Sequence, residues 1–106
     1  MARFALIYSA VQTSSSREEQ DKIIADWEAW YEKMGSAIAE GGDPFGASKH
    51  IVSAGAPPVD GPGAMPASGY TVIEAESLDA AAVACADHPH LTHGGQVHVF
   101  EAIDLH

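Results

Sequence analysis

The sequence predicts an α+β domain in which a four-stranded antiparallel sheet carries two helices on one face. Segments with the two-residue period of strands alternate with segments of helical period, in the order strand, helix, strand, strand, helix, strand. The chain has 106 residues, and a division would leave too little for a second core. We therefore expect a single domain that spans residues 1–106.

The composition is that of a folded, acidic protein. Apolar residues make up 46% of the chain and charged residues 19%, and fifteen acidic residues against five basic ones give a formal charge of -10. A surface with this much negative charge repels phosphate backbones and anionic membranes. We therefore expect neither nucleic acid nor a membrane as a partner. No apolar run approaches the roughly 20 residues of a membrane span, and the first residues do not resemble a signal peptide, which predicts a cytoplasmic location.

Four segments have the composition and alternation of strands, namely residues 3–9, 45–53, 70–76 and 96–103. The second of them is the weakest, whereas the other three carry apolar residues on both faces. Residues 54–68 hold three glycines and four prolines, which block helix and central strand alike and predict a long loop.

The first predicted helix begins at Ser16, because Glu19 stands three residues later in the pattern of a capping box. It ends near Glu40, where two glycines follow. The stripe that faces the sheet consists of Ile23, Trp27, Tyr31, Met34 and Ile38. Trp30 lies off the centre of this stripe, toward a pocket or a dimer seam.

The second predicted helix covers residues 78–87, after the capping residue Ser77 and before Pro89. Its buried side is predicted to hold Leu78, Ala82 and Cys85. The single cysteine is interpreted as a small core residue rather than a nucleophile, since no neighbour in the sequence favours its thiolate.

This βαββαβ order is that of ferredoxin-like domains. Two helices cover one face of such a sheet, yet three strands are apolar on both faces. We expect a second copy of the chain to cover the other face, and a homodimer with facing sheets would enclose pockets for a small-molecule ligand.

Histidines are concentrated near the end of the chain, where four of the six lie within eleven positions. A helix end stabilises an imidazolium, and Asp87 can hold a neighbouring imidazole in one tautomer, which suits general acid–base catalysis. The catalytic candidates are therefore His90, His88 and Asp87. The ligand-binding candidates are Tyr70, His98, Trp30 and His93.

Three interpretations of this histidine cluster stay open: acid–base catalysis, a metal held by His88, His90 and His93, or a solvated turn. No pair of histidines has the spacing of a known metal motif, and no phosphate-binding loop is present in the sequence. The sequence therefore predicts neither a metal site nor an organic cofactor.

A family resemblance extends over nearly the whole chain. It rests on the helix sequence WEAWYEKM at residues 27–34, on Asp60-Gly61-Pro62, and on an ending that holds His88-Pro89-His90-Leu91, Gly94-Gly95, Val97, Val99 and Glu101. In these stretches the chain resembles the YCII-related family, including its DGPF-domain branch, in the dimeric α/β-barrel superfamily. The resemblance implies a ferredoxin-like protomer, a dimer, and a small-molecule pocket with a catalytic His and Asp.

The chain departs from the family pattern at two points. Gly63 stands where DGPF members have Phe, and the first helix lacks the His of other YCII-type members, so the catalytic candidates stay those of the histidine cluster. The predicted function is an elimination or isomerisation of a small organic acid or lactone by His/Asp acid–base chemistry. The alternative is a metabolite-binding or regulatory module that performs no chemistry.

Overall fold

The computed structural model describes residues 1–9 and 16–105, so residues 12–15 of a predicted loop and His106 lie outside the described part. The elements are, in chain order, β1 (Ala2–Ser9), α1 (Arg17–Met34), a 3-10 turn (Gly35–Ala37), β2 (Ile38–Glu40), β3 (Lys49–His50), β4 (Val59–Asp60), β5 (Gly69–Ala75), α2 (Leu78–Ala84), α3 (Pro89–Thr92) and β6 (Gln96–Ala102). Within the described ranges, no helix combines the length and the apolar character needed to cross a membrane.

Four strands form one antiparallel sheet in the order β2, β5, β1, β6, which confirms the predicted α+β class and the four-stranded sheet. β1 is central because it pairs with β5 on one side and β6 on the other. Its alternation matches this position, since Phe4 and Leu6 are fully buried while Ala5 and Ile7 face the opposite side of the sheet.

The core lies between one face of the sheet and the helices. Its buried members are Phe4, Leu6, Tyr8, Ile73, Trp30, Ala81 and Cys85. Burial of a large apolar side chain contributes about 1.5–3 kcal/mol, so these contacts hold the helices on the sheet. The prediction for Cys85 is confirmed: it is 4% exposed, and burial raises the pKa of its thiol to about 11.

Both predicted helix caps are confirmed. The hydroxyl of Ser16 accepts a hydrogen bond from the Glu19 amide at 3.1 Å, and that of Ser77 accepts one from the Ala80 amide at 3.0 Å. Each bond satisfies an amide that has no partner inside its own helix. The sequence pattern therefore placed both helix starts correctly.

The predicted end of the first helix was wrong, because α1 ends at Met34 and not near Glu40. Gly35 has φ 52, in the left-handed region that ends helices. Gly42 serves another purpose, since a Cβ at this position would lie 1.8 Å from the carbonyl oxygen of Tyr70. Its missing side chain allows the chain after β2 to approach β5.

The predicted buried stripe of the first helix also needs correction, because its centre is Trp30. This residue is 4% exposed and is the buried residue of α1, whereas Trp27 and Tyr31 of the predicted stripe are half-buried. The helix thus lies rotated toward Trp30, because the ring packs against His88 with centroids 4.3 Å apart. The position of that imidazole could not be read from helical periodicity.

The second sheet strand is Ile38–Glu40 and not residues 45–53. Of the predicted segment, only Lys49–His50 is a strand, and it pairs with Val59–Asp60 in a separate two-stranded hairpin. Residues 45–53 are exposed except His50, which is half-buried. The alternating side chains of this segment therefore do not mark a strand with one buried face. The short β2 escaped prediction because it lies directly after the helix and contains a register shift.

The second helix was predicted too long, and its predicted buried side is correct only for Cys85. α2 ends at Ala84, and its buried side is formed by Ala81 and Cys85, while Leu78 and Ala82 are exposed. Pro89 does not end this helix but begins α3. The turn between the two helices carries His88 into the core.

Candidate functional site

His88 is held at the centre of the helix side as a neutral imidazole of one tautomer. Its Nδ1 accepts a hydrogen bond from the backbone amide of His90 at 3.0 Å, so the ring proton of the neutral form is on Nε2. Nε2 lies 2.9 Å from the hydroxyl of Tyr8 and therefore donates to it. A backbone amide, rather than Asp87, fixes this tautomer.

The hydrogen bond from His88 continues through three hydroxyl groups. Tyr8 donates to Oγ1 of Thr71 at 2.7 Å, and that oxygen lies 3.0 Å from the hydroxyl of Tyr31. Tyr31 donates to the carbonyl of Gly41 at 3.0 Å, and a carbonyl can only accept, so the chain of bonds ends there. Four buried or half-buried polar side chains are thereby satisfied across α1, β1 and β5.

Burial sets the protonation of this chain of bonds. His88 is fully buried, and desolvation, together with the neighbouring His90, lowers its pKa to about 4. Desolvation likewise raises the pKa of Tyr8 well above its usual range. Both groups are therefore neutral at neutral pH, and their hydrogen-bond directions do not change there.

His90 is held differently and is half-buried. Its Nε2 lies 2.7 Å from the backbone carbonyl of Ser9, and because a carbonyl only accepts, the proton of the neutral ring is on Nε2. Nδ1 then carries the lone pair, and it has no hydrogen-bond partner among residues 1–9 and 16–105. This nitrogen can accept a proton.

Gly95 provides the space in which the His90 ring lies. A Cβ built on Gly95 would be 2.1 Å from Nε2 of His90 and 2.3 Å from Cδ2, far inside contact distance. The Gly95 amide also donates to the carbonyl of His90 at 2.8 Å. The absence of a side chain at this position is thus a condition for the bond between His90 and Ser9.

His90 lines a cavity of about 560 Å³ on the helix side of the sheet, within one protomer. We call it the His90 cavity. Tyr8, Trp27 and Tyr31 line it from the helix side, and Tyr70 lines it at the start of β5, where it alternates with the inward-facing Thr71. Ile23 and Ile24 of α1 and the chain segments after β2 and before β5 complete the wall. An apolar cavity with a few polar groups is typical of a small-molecule site.

The charged groups of this lining are both acidic. Glu28 projects from α1, and Asp43 lies in the loop after β2. Neither Lys nor Arg lines the cavity in the described part of the chain, and residues 10–15 contain no basic residue. Three of the five basic residues form ion pairs elsewhere, with Glu74, Asp87 and Asp60.

Two predicted site residues lie together outside this cavity. Asp87 and Trp30 line a separate cavity of about 340 Å³. Asp87 is exposed and pairs with Lys33, whose hydrogen bond lowers the pKa of the carboxyl. Nε1 of Trp30 is buried and lacks a hydrogen-bond partner within the described ranges.

The remaining ligand-binding candidates are dispersed. Nε2 of His93 lies 2.9 Å from a carboxylate oxygen of Asp26 and ties α3 to α1. His98 projects from the opposite face of the sheet and bonds the Ser9 hydroxyl at 2.7 Å. Tyr70 lines the His90 cavity, and its hydroxyl donates to Glu40.

The histidine cluster does not converge on one point. His88 bonds Tyr8, His90 bonds Ser9 and His93 bonds Asp26, through Nε2 in each case. Over residues 1–9 and 16–105, no group of three His, Cys, Asp or Glu side chains is arranged to hold a metal ion. What the cluster brings together is one buried imidazole and one imidazole at a cavity.

Tyr8, Ser9 and Thr71 are the site residues that sequence reasoning missed. Tyr8 and Thr71 carried a usable signal, because both fall on the inward face of a predicted strand and a buried hydroxyl needs a partner. The contact from Ser9 to His90 carried none. It joins a backbone carbonyl to a side chain 81 residues away.

No family model matches the chain, and no curated protein matches it. The resemblance to the YCII-related family therefore stays a prediction from the residues that carry it.

Proposed function

We propose that the protein is a cofactor-independent enzyme in which Nδ1 of His90 removes a proton from a small molecule bound in the His90 cavity. The observation that carries this proposal is the bond from Nε2 of His90 to the Ser9 carbonyl at 2.7 Å. It leaves the lone pair on the other nitrogen of a ring that lines the cavity.

The proposed step is an isomerisation or an elimination. Nδ1 takes a proton from a carbon next to a carbonyl group, and the electron pair of the C–H bond moves into the carbonyl. In a substrate with a β,γ double bond, return of the proton from the imidazolium to the γ carbon completes an isomerisation. In a substrate with a leaving group on the β carbon, the electron pair returns from the oxygen, a double bond forms between the α and β carbons, and the leaving group departs with its own electron pair and takes the proton from the imidazolium. The carbonyl of Ser9 accepts from Nε2 throughout and so stabilises the imidazolium that forms.

In this proposal His88 is a positioning residue and His90 the catalytic one. His88 is fully buried and stays neutral, and its Nδ1 accepts the His90 amide, so it orients the backbone from which the base projects. Asp87 pairs with Lys33, and we assign it no proton transfer. The substrate is better an uncharged lactone than a free organic acid, because Glu28 and Asp43 repel a carboxylate.

Exchange of carbon-bound hydrogen for solvent deuterium tests the reaction whatever its final product. Proton NMR in D₂O follows a panel of small lactones, aminolactones and keto acids with and without the protein. We expect the wild type to accelerate the exchange of at least one compound. His90→Gln should return its rate to that of buffer, because the amide side chain cannot take the proton.

His50→Gln is the matched control for this experiment, since it removes an imidazole that bonds the Gly61 carbonyl in the separate two-stranded hairpin, outside the His90 cavity. It should keep the wild-type rate. Equal rates for His90→Gln and the wild type, or no accelerated exchange across the panel, would contradict the proposal. A compound that raises the melting temperature without exchange would instead indicate the non-catalytic binding module.

We further propose that the protomer is ferredoxin-like and forms the dimeric α/β barrel implied by the YCII resemblance. The strand order β2, β5, β1, β6 supports this, and so does an open sheet face that carries Ala5, Ile7, Val72 and Phe100. Phe100 is 53% exposed in the protomer. A second copy on this face would remove these side chains from water.

Sedimentation measures whether this face is an interface. The wild type should sediment at twice its mass of 11.1 kDa, and Phe100→Asp should sediment as a folded monomer because a carboxylate cannot be buried unpaired. Val83→Asp is the control, since Val83 is 74% exposed on α2, away from the open face. A wild type that is monomeric at micromolar concentration would refute the dimer.

A further inference from the structure

The walls of the His90 cavity combine aromatic rings with negative charge. Trp27 is central to the aromatic wall, with its ring centroid 5.0 Å from that of Tyr8 at an interplanar angle of 85° and 6.0 Å from that of Tyr31 at 37°. These rings therefore present differently oriented surfaces around one cavity. The face of an aromatic ring is electron-rich and attracts cations, most strongly for Trp.

The carboxylates of the cavity are placed on two of its walls. Glu28 follows Trp27 on α1, and Asp43 lies in the loop between β2 and β3. Both residues are exposed, so these carboxylates line the cavity without a large desolvation cost. The formal charge of -10 reinforces the negative field around them.

From these walls we propose that the His90 cavity binds a small molecule with a cationic nitrogen, an alkylated or primary ammonium group. This inference rests on the proposed function and names the class of its substrate. Aromatic rings provide the contact for the apolar shell of such a cation, and the carboxylates compensate its charge. An anion would meet two negative groups and no basic one in the described part of the lining.

The placement of charge also fits the proposed chemistry. A cationic nitrogen beside a carbonyl-bearing carbon makes the C–H bond more acidic, which lowers the demand on the base. His90 shares the cavity with Trp27, and their ring centroids are 6.1 Å apart. A compact substrate can therefore contact both rings at once.

Calorimetric titration with three probes of nearly equal shape tests the proposal. The probes are choline, the neutral alcohol in which carbon replaces its nitrogen, and pivalate. We expect choline to bind at least about tenfold more tightly than the neutral alcohol. Both probes make the same shape contacts, and only choline adds cation–π and charge contacts. Pivalate should show no binding.

Single substitutions measure how much the aromatic residues and how much the carboxylates of the cavity contribute to choline affinity. Trp27→Leu keeps an apolar side chain but should weaken choline binding about tenfold, and Trp27→Phe should restore part of the loss. Asp43→Asn should weaken it several-fold. Glu32→Gln, an equal charge change at an exposed position of α1 outside the cavity, should leave the affinity unchanged.

Equal affinity for choline and the neutral alcohol, tighter binding of pivalate, or no binding of choline would each overturn the inference. An equal effect of Asp43→Asn and Glu32→Gln would do so as well. His90→Gln separates this inference from the proposed reaction, because the variant should bind choline normally while hydrogen exchange is lost. Choline binding without exchange in the wild type would leave the cation site standing and refute the reaction.

Discussion

The free energy of unfolding is expected to fall by roughly 3 kcal/mol as the pH drops from 6.5 to 4, because His88 is buried without charge. In the unfolded chain this imidazole takes up a proton near pH 6.5, and in the folded protein only near pH 4. Between these values the unfolded state binds the additional proton. The stabilisation present above pH 6.5 is therefore lost progressively on acidification.

Urea unfolding at a series of pH values measures this loss, and His88→Gln isolates the contribution of the group. The variant should be less stable near neutral pH, because its side chain leaves the hydrogen bonds of Tyr8 and the His90 amide poorly satisfied. Its stability should nevertheless change less over the same pH range. Equal slopes of stability against pH for His88→Gln and the wild type would contradict the assignment.

The wild type supplies an independent measurement should His88→Gln not fold. NMR resolves the imidazole signals of individual histidines during a pH titration. The His88 signal should stay at its neutral position as the pH falls through 6.5 and should move only near pH 4. A His88 signal that titrates like a histidine in water would refute the buried neutral tautomer.

Gly95→Ala is expected to reduce the rate of the proposed hydrogen exchange about 100-fold while the fold stays intact. The added Cβ would lie 2.1 Å from Nε2 of His90, so the ring must move and its bond to the Ser9 carbonyl must break. A displacement of this size removes a catalytic group from its working geometry, and misplacement by about 1 Å costs about that factor.

Gly46→Ala is the matched control, because a Cβ at Gly46 meets nothing within 4 Å and neither glycine requires a positive φ. Gly46→Ala should keep the wild-type exchange rate, and both variants should keep cooperative unfolding. A wild-type rate for Gly95→Ala would show that the bond between His90 and Ser9 does not position the base. The positions of the imidazole NMR signals report whether the His90 ring has moved.

Local signals in the sequence were reliable wherever the structure uses local bonds. The caps at Ser16 and Ser77 are side chains that bond an amide three residues later, and both were predicted correctly. The alternation in β1 and β5 was also correct, because each strand pairs along its length and faces the core on one side. A cap depends on neighbours that are close in sequence, and the alternation of a strand depends only on which of its sides faces the core.

The errors fall where several local signals compete. Gly35, Gly41 and Gly42 could each end the first helix, and the pattern alone favoured the glycine pair. Gly35 ends the helix, whereas Gly42 allows the close approach to the carbonyl of Tyr70, a contact that exists only once β5 is in place. The same limit applies to Trp30, which is buried because His88 arrives from a distant turn.

The sequence by itself determined the α+β class, the helix starts, the paired strands with apolar faces, and the concentration of histidines after α2. Only the tertiary structure decided how those histidines differ. His88 is a neutral core residue that bonds the Tyr8 hydroxyl, and His90 is a cavity residue that bonds the Ser9 carbonyl. The reason is that burial and hydrogen-bond partners set the state of an imidazole. The His90 amide fixes the tautomer of His88 locally, but the Tyr8 and Trp30 rings that pack on His88 and the Ser9 carbonyl that binds His90 come from distant parts of the chain.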